Sequence, residues 1–219
     1  DVCSSDLHVL ENFLKINDIV KKLSNKANIV AVTKTFSLES VRPLIDYGHL
    51  HYGENKVAEA INKWSDLLNK NKQIKLHMVG HLQSNKAKEA ISIFSYIHSL
   101  DSEKLANILS KEEKFLNKKI KYFIQVNIAN EKQKFGISSD LVDEFIKYTI
   151  NDLNLDVIGL MCIPPIDHNP IPFFLSLKKI ADKNQLPELS MGMSNDYKDA
   201  INNGSTFIRI GSSIFGQRF

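Results

Sequence analysis

A chain of 219 residues, 43% hydrophobic and 24% charged, has the composition of an ordinary soluble globular protein. Its length is sufficient to bury a sizeable core, and no stretch approaches the roughly 18 apolar residues that a membrane-spanning helix requires. The net charge of +3 comes from 28 basic residues, of which 25 are lysines, against 25 acidic residues. The lysines are spread over predicted helix faces without aromatic interleaving, which argues against a nucleic-acid-binding protein.

The amino-terminal end carries little structural information. The sequence begins with Asp1 and shows no signal-peptide pattern, so we assign no regular structure to residues 1–6. The two cysteines, Cys3 and Cys162, lie far apart and have neither metal-binding nor redox spacing. This usage favours a reducing compartment over a disulfide framework, and we expect a cytoplasmic protein.

Eight short apolar runs alternate with segments of helical periodicity. The predicted strands are Ile29–Lys34, His51–Asn55, Lys75–Gly80, Tyr96–Asp101, Lys121–Ile128, Leu155–Ile163, Glu188–Gly192 and Thr206–Ile210. The predicted helices are an amphipathic segment Leu7–Leu23 before the first strand, then Ser37–Tyr47, Val57–Leu68, Asn85–Phe94, Ser102–Leu116, Ser139–Asn151, Pro172–Lys183 and Asn195–Asn202.

This alternation favours a single (β/α)8 TIM barrel over an open doubly wound sheet. An open sheet normally brings a glycine-rich turn after its first strand, and here that turn reads Thr33-Lys34-Thr35-Phe36. The pattern has no helix after the eighth strand, so we expect Leu7–Leu23 to cover that side of the barrel. No linker interrupts the pattern, which predicts one domain over residues 1–219.

A lysine at the end of the first predicted strand is the most informative single residue. The run Ile29–Lys34 is otherwise apolar and β-branched, which is typical of a strand buried on both faces of a parallel sheet. Its carboxyl end, where Lys34 stands, is where α/β folds build their sites. The alternative interpretation is a lysine that marks the strand end and extends its amine to water.

Small hydroxyl and glycine residues follow the seventh and eighth predicted strands. The two groups are Ser190–Ser194 and Arg209–Ser213. Backbone N–H groups and hydroxyls in such loops converge on phosphate, and barrels most often place a phosphate site there. Either group alone is a common turn sequence, but together they predict a phosphate site.

A phosphate site and a strand-end lysine in one barrel mouth predict a phosphorylated aldehyde held as a Schiff base. The lysine attacks the aldehyde once its amine has lost its proton, and a partly apolar pocket favours that neutral form. Pyridoxal 5′-phosphate (PLP) satisfies both features, and so does a sugar phosphate of the aldolase type. Arg209 favours PLP if its guanidinium faces the pyridine nitrogen, although a buried ion pair with a carboxylate is an alternative role for it.

Two histidines, His77 and His81, lie four residues apart. That spacing suits a metal only on a helix, and here a strand breaks at Gly80, so we predict no metal site. We interpret the segment as a site-lining turn followed by a helix start. No Ser-His-Asp or Cys-His arrangement follows from the spacing.

Seven motifs, in order along the chain, resemble one known family. They are AVTKTF around Lys34, HYGENKVAEA around Asn55, HMVGHLQSNK from His77, QVNIANEKQKFGI from Gln125, GLMCIPP from Gly159, LSMGMSNDY from Leu189 and FIRIGSSIFGQR from Phe207. Over residues 29–218 the sequence resembles the pyridoxal phosphate homeostasis proteins, the YggS-type family.

The resemblance implies a single barrel like the amino-terminal domain of alanine racemase, a PLP-binding barrel of fold type III, with PLP as an internal aldimine on Lys34. Arg209 would face the pyridine nitrogen, and Asn55 would lie close to the cofactor. By the same matching, the phosphate would be held by Ser190, Ser194, Gly211 and Ser212.

The resemblance also implies a carrier or regulator of vitamin B6 that supplies PLP to apo-enzymes without robust catalysis. An arginine at the ring nitrogen disfavours its protonation and so weakens the ring as an electron sink. Related racemases take a tyrosine base from a second, β-rich domain, which we do not expect in a chain that ends at Phe219. The alternative hypothesis is a single-domain enzyme, either an amino-acid racemase or a Schiff-base aldolase. We expect a monomer that binds neither nucleic acid nor membrane.

One residue near the predicted mouth departs from the family pattern. Cys162 stands where the resemblance leads us to expect a threonine. A thiol there would either add to the aldehyde or pack in the core.

Overall fold

A closed barrel of parallel strands is surrounded by helices in the computed structural model, which describes residues 4–131 and 133–216. The strands of this described part are β1 (Asn28–Val32), β2 (His51–Glu54), β3 (Lys75–Met78), β4 (Tyr96–Leu100), β5 (Lys121–Asn127), β6 (Ile137–Ser138), β7 (Asp156–Met161), β8 (Glu188–Ser190) and β9 (Phe207–Ile210). The helices are α1 (Ser4–Leu23), α2 (Leu38–Asp46), α3 (Val57–Lys70), α4 (Ala87–Ile93), α5 (Glu103–Leu116), α6 (Val142–Lys147), α7 (Ile171–Lys183), α8 (Tyr197–Asn202) and α9 (Ser212–Phe215). A 3₁₀ turn at Ser84–Lys86 precedes α4, and a π-helical turn at Tyr148–Asp152 follows α6.

Eight of these strands form a closed ring. The order around it is β1-β2-β3-β4-β5-β7-β8-β9, and β9 returns to β1 with Ile208 opposite Ile29. The short β6 pairs with the end of β5 and is not part of the ring. The ring confirms the predicted (β/α)8 barrel and excludes the open sheet, and each predicted strand corresponds to one of its strands.

Both faces of the barrel strands are buried, which explains why their sequences are continuously apolar. Side chains that point outward, such as Ile29, Ala31 and Ile208, pack under the helices. Their neighbours along the strands point inward, and a separate small core forms inside the barrel from Val30, Phe123, Met161 and Phe207. The interior that remains is lined by polar side chains, including His77, His98 and Arg209, all of them buried.

Helix α1 fills the gap in the outer layer between α8 and α2. Its buried residues recur every three or four positions and form one apolar face: Val9, Phe13, Ile16 and Val20. This helix packs against α2, α8 and α9, and Asn12 donates a side-chain hydrogen bond of 3.3 Å to the carbonyl of Ile214 in α9. The structure therefore confirms that the amino-terminal segment covers this side of the barrel.

The amino-terminal boundary differs from the expectation. Helix α1 begins at Ser4, whereas we had assigned no regular structure to residues 1–6; residues 1–3, including Cys3, lie outside the described residues. None of the helices described here has the length and apolar character needed to cross a membrane.

Candidate functional site

The carboxyl ends of the barrel strands surround a cavity of about 790 Å³. Its apolar walls include Val32 at the end of β1, Val79 after β3, Ile163 after β7 and Met193 after β8. Six of the seven site residues chosen from the sequence line this cavity: Lys34, Asn55, Ser194, Arg209, Gly211 and Ser212.

Lys34 is half-buried in the turn that joins β1 to α2. Phe36 closes this turn by donating its backbone N–H to the carbonyl of Thr33 over 3.1 Å. Helix α2 begins directly afterwards, and the Ser37 hydroxyl caps it by accepting the backbone N–H of Ser40 over 3.3 Å. The segment that carries Lys34 is therefore fixed on both sides.

A buried polar cluster ties this turn to β2. The Oε1 atom of Glu54 accepts hydrogen bonds from Thr33 Oγ1 at 2.6 Å, Lys63 Nζ at 2.7 Å and Trp64 Nε1 at 2.9 Å. Lys63 also donates to the backbone carbonyl of Thr33 over 2.7 Å. Because Thr33 precedes Lys34 and Glu54 precedes Asn55, the cluster fixes the backbone at two lining residues. Sequence reasoning missed it, since its members come from three separate elements.

Asn55 is closely approached by the backbone of the segment that follows β3. A Cβ atom on Gly80 would lie 2.4 Å from the Asn55 carbonyl oxygen and 2.8 Å from its Cα. Glycine therefore marks a contact that no other residue allows without moving the site. This is the physical role of the strand break that the sequence indicated at Gly80.

The loops after β8 and β9 meet at two serine hydroxyls. The Oγ atoms of Ser212 and Ser194 are 3.1 Å apart, and the backbone N–H of Ser213 donates to Ser194 Oγ over 3.4 Å. The β8 loop turns at Gly192, where φ is +92° and an added Cβ would lie 2.5 Å from the Cβ of Ala200. Hydroxyls and backbone N–H groups thus gather on one wall of the cavity, the arrangement expected of a phosphate site.

Arg209 reaches the cavity from inside the barrel. Its Nη1 donates to Ser190 Oγ over 2.6 Å, and its Nη2 donates to the carbonyl of Cys162 over 3.0 Å. Burial lowers the pKa of the guanidinium, an effect that Cys162 and Asp196 oppose. None of the ion pairs among the described residues includes Arg209, so the alternative of a buried ion pair is not what the structure contains.

Ser190 does not reach the cavity, unlike the other predicted residues. It is fully buried, and its hydroxyl is bonded by Arg209 and by the Nδ1 atom of His98, which lies 2.7 Å away. As the last residue of β8 it points into the barrel, whereas the residues of the following loop line the mouth. The geometry therefore does not support its predicted role as a phosphate ligand.

Cys162 is also buried away from the cavity. Burial raises the pKa of its thiol to about 12, although the charge of Arg209 opposes the shift. Of the two roles considered for this thiol, packing agrees with the structure and addition to an aldehyde does not.

The two histidines that lie four residues apart, His77 and His81, are not together in the structure. His77 lies inside the barrel and is fully buried, while His81 lies near the surface, 3.0 Å from an Asp101 carboxylate oxygen and stacked on Phe135. Neither lines the cavity, so the expected site-lining turn is represented there by Val79 alone. No group of three or more potential metal ligands occurs within the described ranges.

A family model, curated relatives and solved structures were each found to be similar to this chain. The family model for the alanine racemase N-terminal domain matches residues 8–218. A pyridoxal phosphate homeostasis protein of Aquifex aeolicus is 36% identical, with 100% of this chain and 99% of that protein covered. PipY of Synechococcus elongatus, solved with PLP bound, is 31% identical with a TM-score of 0.85, over 95% of this chain and 100% of that chain. An alanine racemase of Clostridium difficile has a similar fold at 16% identity and a TM-score of 0.69, over 95% of this chain but 57% of that chain.

Proposed function

The chain belongs to the family of pyridoxal phosphate homeostasis proteins, and from that membership we propose that it binds PLP in the cavity at the barrel mouth. One observation carries the proposal: Lys34, Arg209 and the Ser194–Ser212 pair all line a single cavity. Its volume of about 790 Å³ lies within the range of small-molecule sites.

The lining suits PLP group by group. Bound PLP supplies an aldehyde, which condenses with the Lys34 amine to a Schiff base while the aldehyde oxygen leaves as water. Ser194, Ser212 and the backbone at Gly211 offer donors to the phosphate. The remaining N–H groups of Arg209 would serve as donors to the pyridine nitrogen. Asn55 lines the same cavity and would lie beside the cofactor.

We further propose that the protein holds PLP reversibly in the cytosol and passes it to apo-enzymes, acting as a monomer. An arginine that donates to the ring nitrogen keeps that nitrogen unprotonated, which disfavours carbanion chemistry. Tyr52, which follows His51 on β2, is buried and donates its hydroxyl to the His49 carbonyl over 2.9 Å, so it is not available as a racemase base. We expect no binding to nucleic acid or membranes.

Absorption spectroscopy with borohydride reduction tests the binding proposal. Protein mixed with PLP should develop a Schiff-base band that borohydride removes, and peptide mapping should then find the cofactor on Lys34. Lys34→Ala should abolish both signals. Lys56→Ala is the matched control, because Lys56 is an exposed lysine one residue beyond Asn55. Equal labelling of both variants would show non-specific reaction and contradict the proposal.

Transfer and exchange assays separate a carrier from an enzyme. A carrier should restore the activity of a PLP-dependent apo-enzyme at a rate that depends on Lys34. An enzyme should instead exchange the α-proton of an amino acid for deuterium over many turnovers. Turnover that disappears in Lys34→Ala would overturn the carrier assignment while leaving PLP binding intact.

A further inference from the structure

A chain of hydrogen-bonded side chains crosses the barrel interior and ends at Arg209. The Nδ1 atom of His51 lies 2.9 Å from His77 Nε2, and His77 Nδ1 lies 2.8 Å from His98 Nε2. His98 Nδ1 then lies 2.7 Å from Ser190 Oγ, which accepts the Nη1–H of Arg209 over 2.6 Å. Because β4 and β8 are not neighbours in the ring, the contact between His98 and Ser190 bridges the interior.

The donors and acceptors of this chain fix its direction. A guanidinium only donates, so Ser190 Oγ must accept from Arg209. Its single hydrogen then goes to His98 Nδ1, the other partner found for this hydroxyl among the described residues. His98 must therefore donate from Nε2 to His77, and His77 from its own Nε2 to His51. The reverse direction would leave the Ser190 hydrogen unpaired in a buried site, which is unfavourable.

The surroundings keep the three imidazoles neutral and in place. Burial holds the pKa values of His77 and His98 well below the ordinary range and lowers that of His51 to about 4. The ring of His77 stacks on Tyr96 with centroids 4.2 Å apart, and His98 stacks on Phe123 at 4.4 Å. Because each ring is neutral and held by an aromatic neighbour, it keeps one donor and one acceptor nitrogen, and all the hydrogen bonds between the rings run in the same direction.

We propose that His98 and Ser190, backed by His77 and His51, position Arg209 against the ring nitrogen of PLP and so govern cofactor affinity and spectrum. The inference rests on the proposed function. Ser190 anchors Nη1 while the Cys162 carbonyl anchors Nη2, which leaves the rest of the guanidinium for the ligand. Ser190 thus acts through Arg209 rather than on the phosphate.

The direction of donation along these hydrogen-bonded side chains can be measured without any cofactor. In PLP-free protein with 15N-labelled histidine, long-range 1H–15N spectra at neutral pH distinguish the two tautomers. We expect His51, His77 and His98 to be neutral and protonated on Nε2. A charged ring, or any of the three protonated on Nδ1, would overturn the proposed direction.

Paired substitutions test the positioning role. Ser190→Ala removes the link, whereas Ser205→Ala is a matched control. Ser205 is also buried, and its hydroxyl bonds only backbone carbonyls near β8 and β9 among the described residues. We expect Ser190→Ala to weaken PLP binding about tenfold, the loss typical of one hydrogen bond to a charged group, and to shift the Schiff-base band. The PLP affinity of Ser205→Ala should stay within about threefold of the wild-type value, and its Schiff-base band should not shift.

A second pair separates hydrogen bonding from packing. His98→Asn keeps an acceptor near the Nδ1 position, whereas His98→Phe fills the space without one. The proposal is supported if His98→Asn retains the PLP affinity and the Schiff-base spectrum while His98→Phe loses them. It is overturned if the two His98 variants behave alike, or if the two serine variants do. A wild-type protein that binds no PLP would overturn the proposed function and with it the role of Arg209, while the tautomers would still decide the direction of the chain.

Discussion

The Nζ atom of Lys63 lies 2.7 Å from the Oε1 atom of Glu54 in a buried ion pair beside the turn that carries Lys34. The Glu54 side chain is fully buried and that of Lys63 is 12% exposed, so neither charge is solvated as it would be in the unfolded chain. A buried charge is stabilised only by its partner and by further hydrogen bonds, which Thr33 and Trp64 provide here. The local fold at the proposed cofactor lysine therefore depends on a helix residue outside the cavity.

Glu54→Gln should destabilise the protein strongly, because it leaves the Lys63 ammonium beside an uncharged amide. We expect the free energy of unfolding to fall by about 3 kcal/mol. Urea unfolding measures this. Glu59→Gln removes an exposed partner of Lys56 on the same helix and should cost less than about 0.5 kcal/mol. Equal losses in the two variants would mean that the buried pair has no special role.

The serine pair should act on the phosphate and not on the rest of the cofactor. Ser194→Ala and Ser212→Ala should each weaken PLP binding about tenfold while leaving the binding of pyridoxal, which lacks the phosphate, nearly unchanged. Titrations of the Schiff-base band with both compounds measure the difference. Ser213→Ala is the control, since Ser213 is exposed and lies outside the cavity lining. Parallel losses for PLP and pyridoxal would place the phosphate elsewhere.

The strands and the barrel were predictable because each strand is a short apolar run flanked by helical periodicity. Lys34, Asn55 and Arg209 follow from the same logic, since the carboxyl ends of parallel strands meet at one face. The inward or outward direction of a strand residue was not predictable, because both faces are buried and the sequence does not alternate.

That limit explains why the sequence did not indicate where these side chains point. Ser190 was grouped with the loop residues that follow it, yet β8 ends at Ser190 and its side chain points into the barrel. The chain from His51 to Arg209 gave no signal in spacing, because its histidines belong to three different strands. The two-residue β6 was missed for another reason: its pairing depends on where the loop after β5 folds back, not on local pattern.

Cys162 should resist thiol reagents in the folded state. Burial raises the pKa of its thiol to about 12, against an ordinary value of 9.0, so at pH 8 the reactive thiolate should be about 1,000-fold scarcer than in the unfolded chain. In a Cys3→Ser background, Ellman's reagent should react slowly with native protein and at once in urea. Rapid reaction of the native protein would show that the thiol is accessible at the barrel mouth.

Acid should destabilise the protein through two half-buried histidines, His49 and His51. Burial lowers the pKa values of His49 and His51 to about 4 from 6.5, so between these limits the unfolded chain binds protons that the folded chain does not. Because the unfolded state binds more protons, the contribution of these histidines to the free energy of unfolding is fully present above about pH 6.5. It is lost as the pH falls towards 4. Within this pH range, each of the two histidines should lower the free energy of unfolding by about 1.4 kcal/mol for each pH unit of acidification.

A comparison of two proteins isolates this effect from carboxylate titration. His51→Asn keeps an acceptor for His77 but cannot titrate. Between pH 6 and 5 the free energy of unfolding of this variant should therefore change less with pH than that of the wild type, and the difference should correspond to about one proton. All other titrating groups contribute equally to both proteins. Urea unfolding at pH 7.5, 6 and 5 gives the slopes. Identical slopes would mean that His51 is already protonated in the folded state, or becomes so near pH 6.5, and its place in a neutral chain would be wrong.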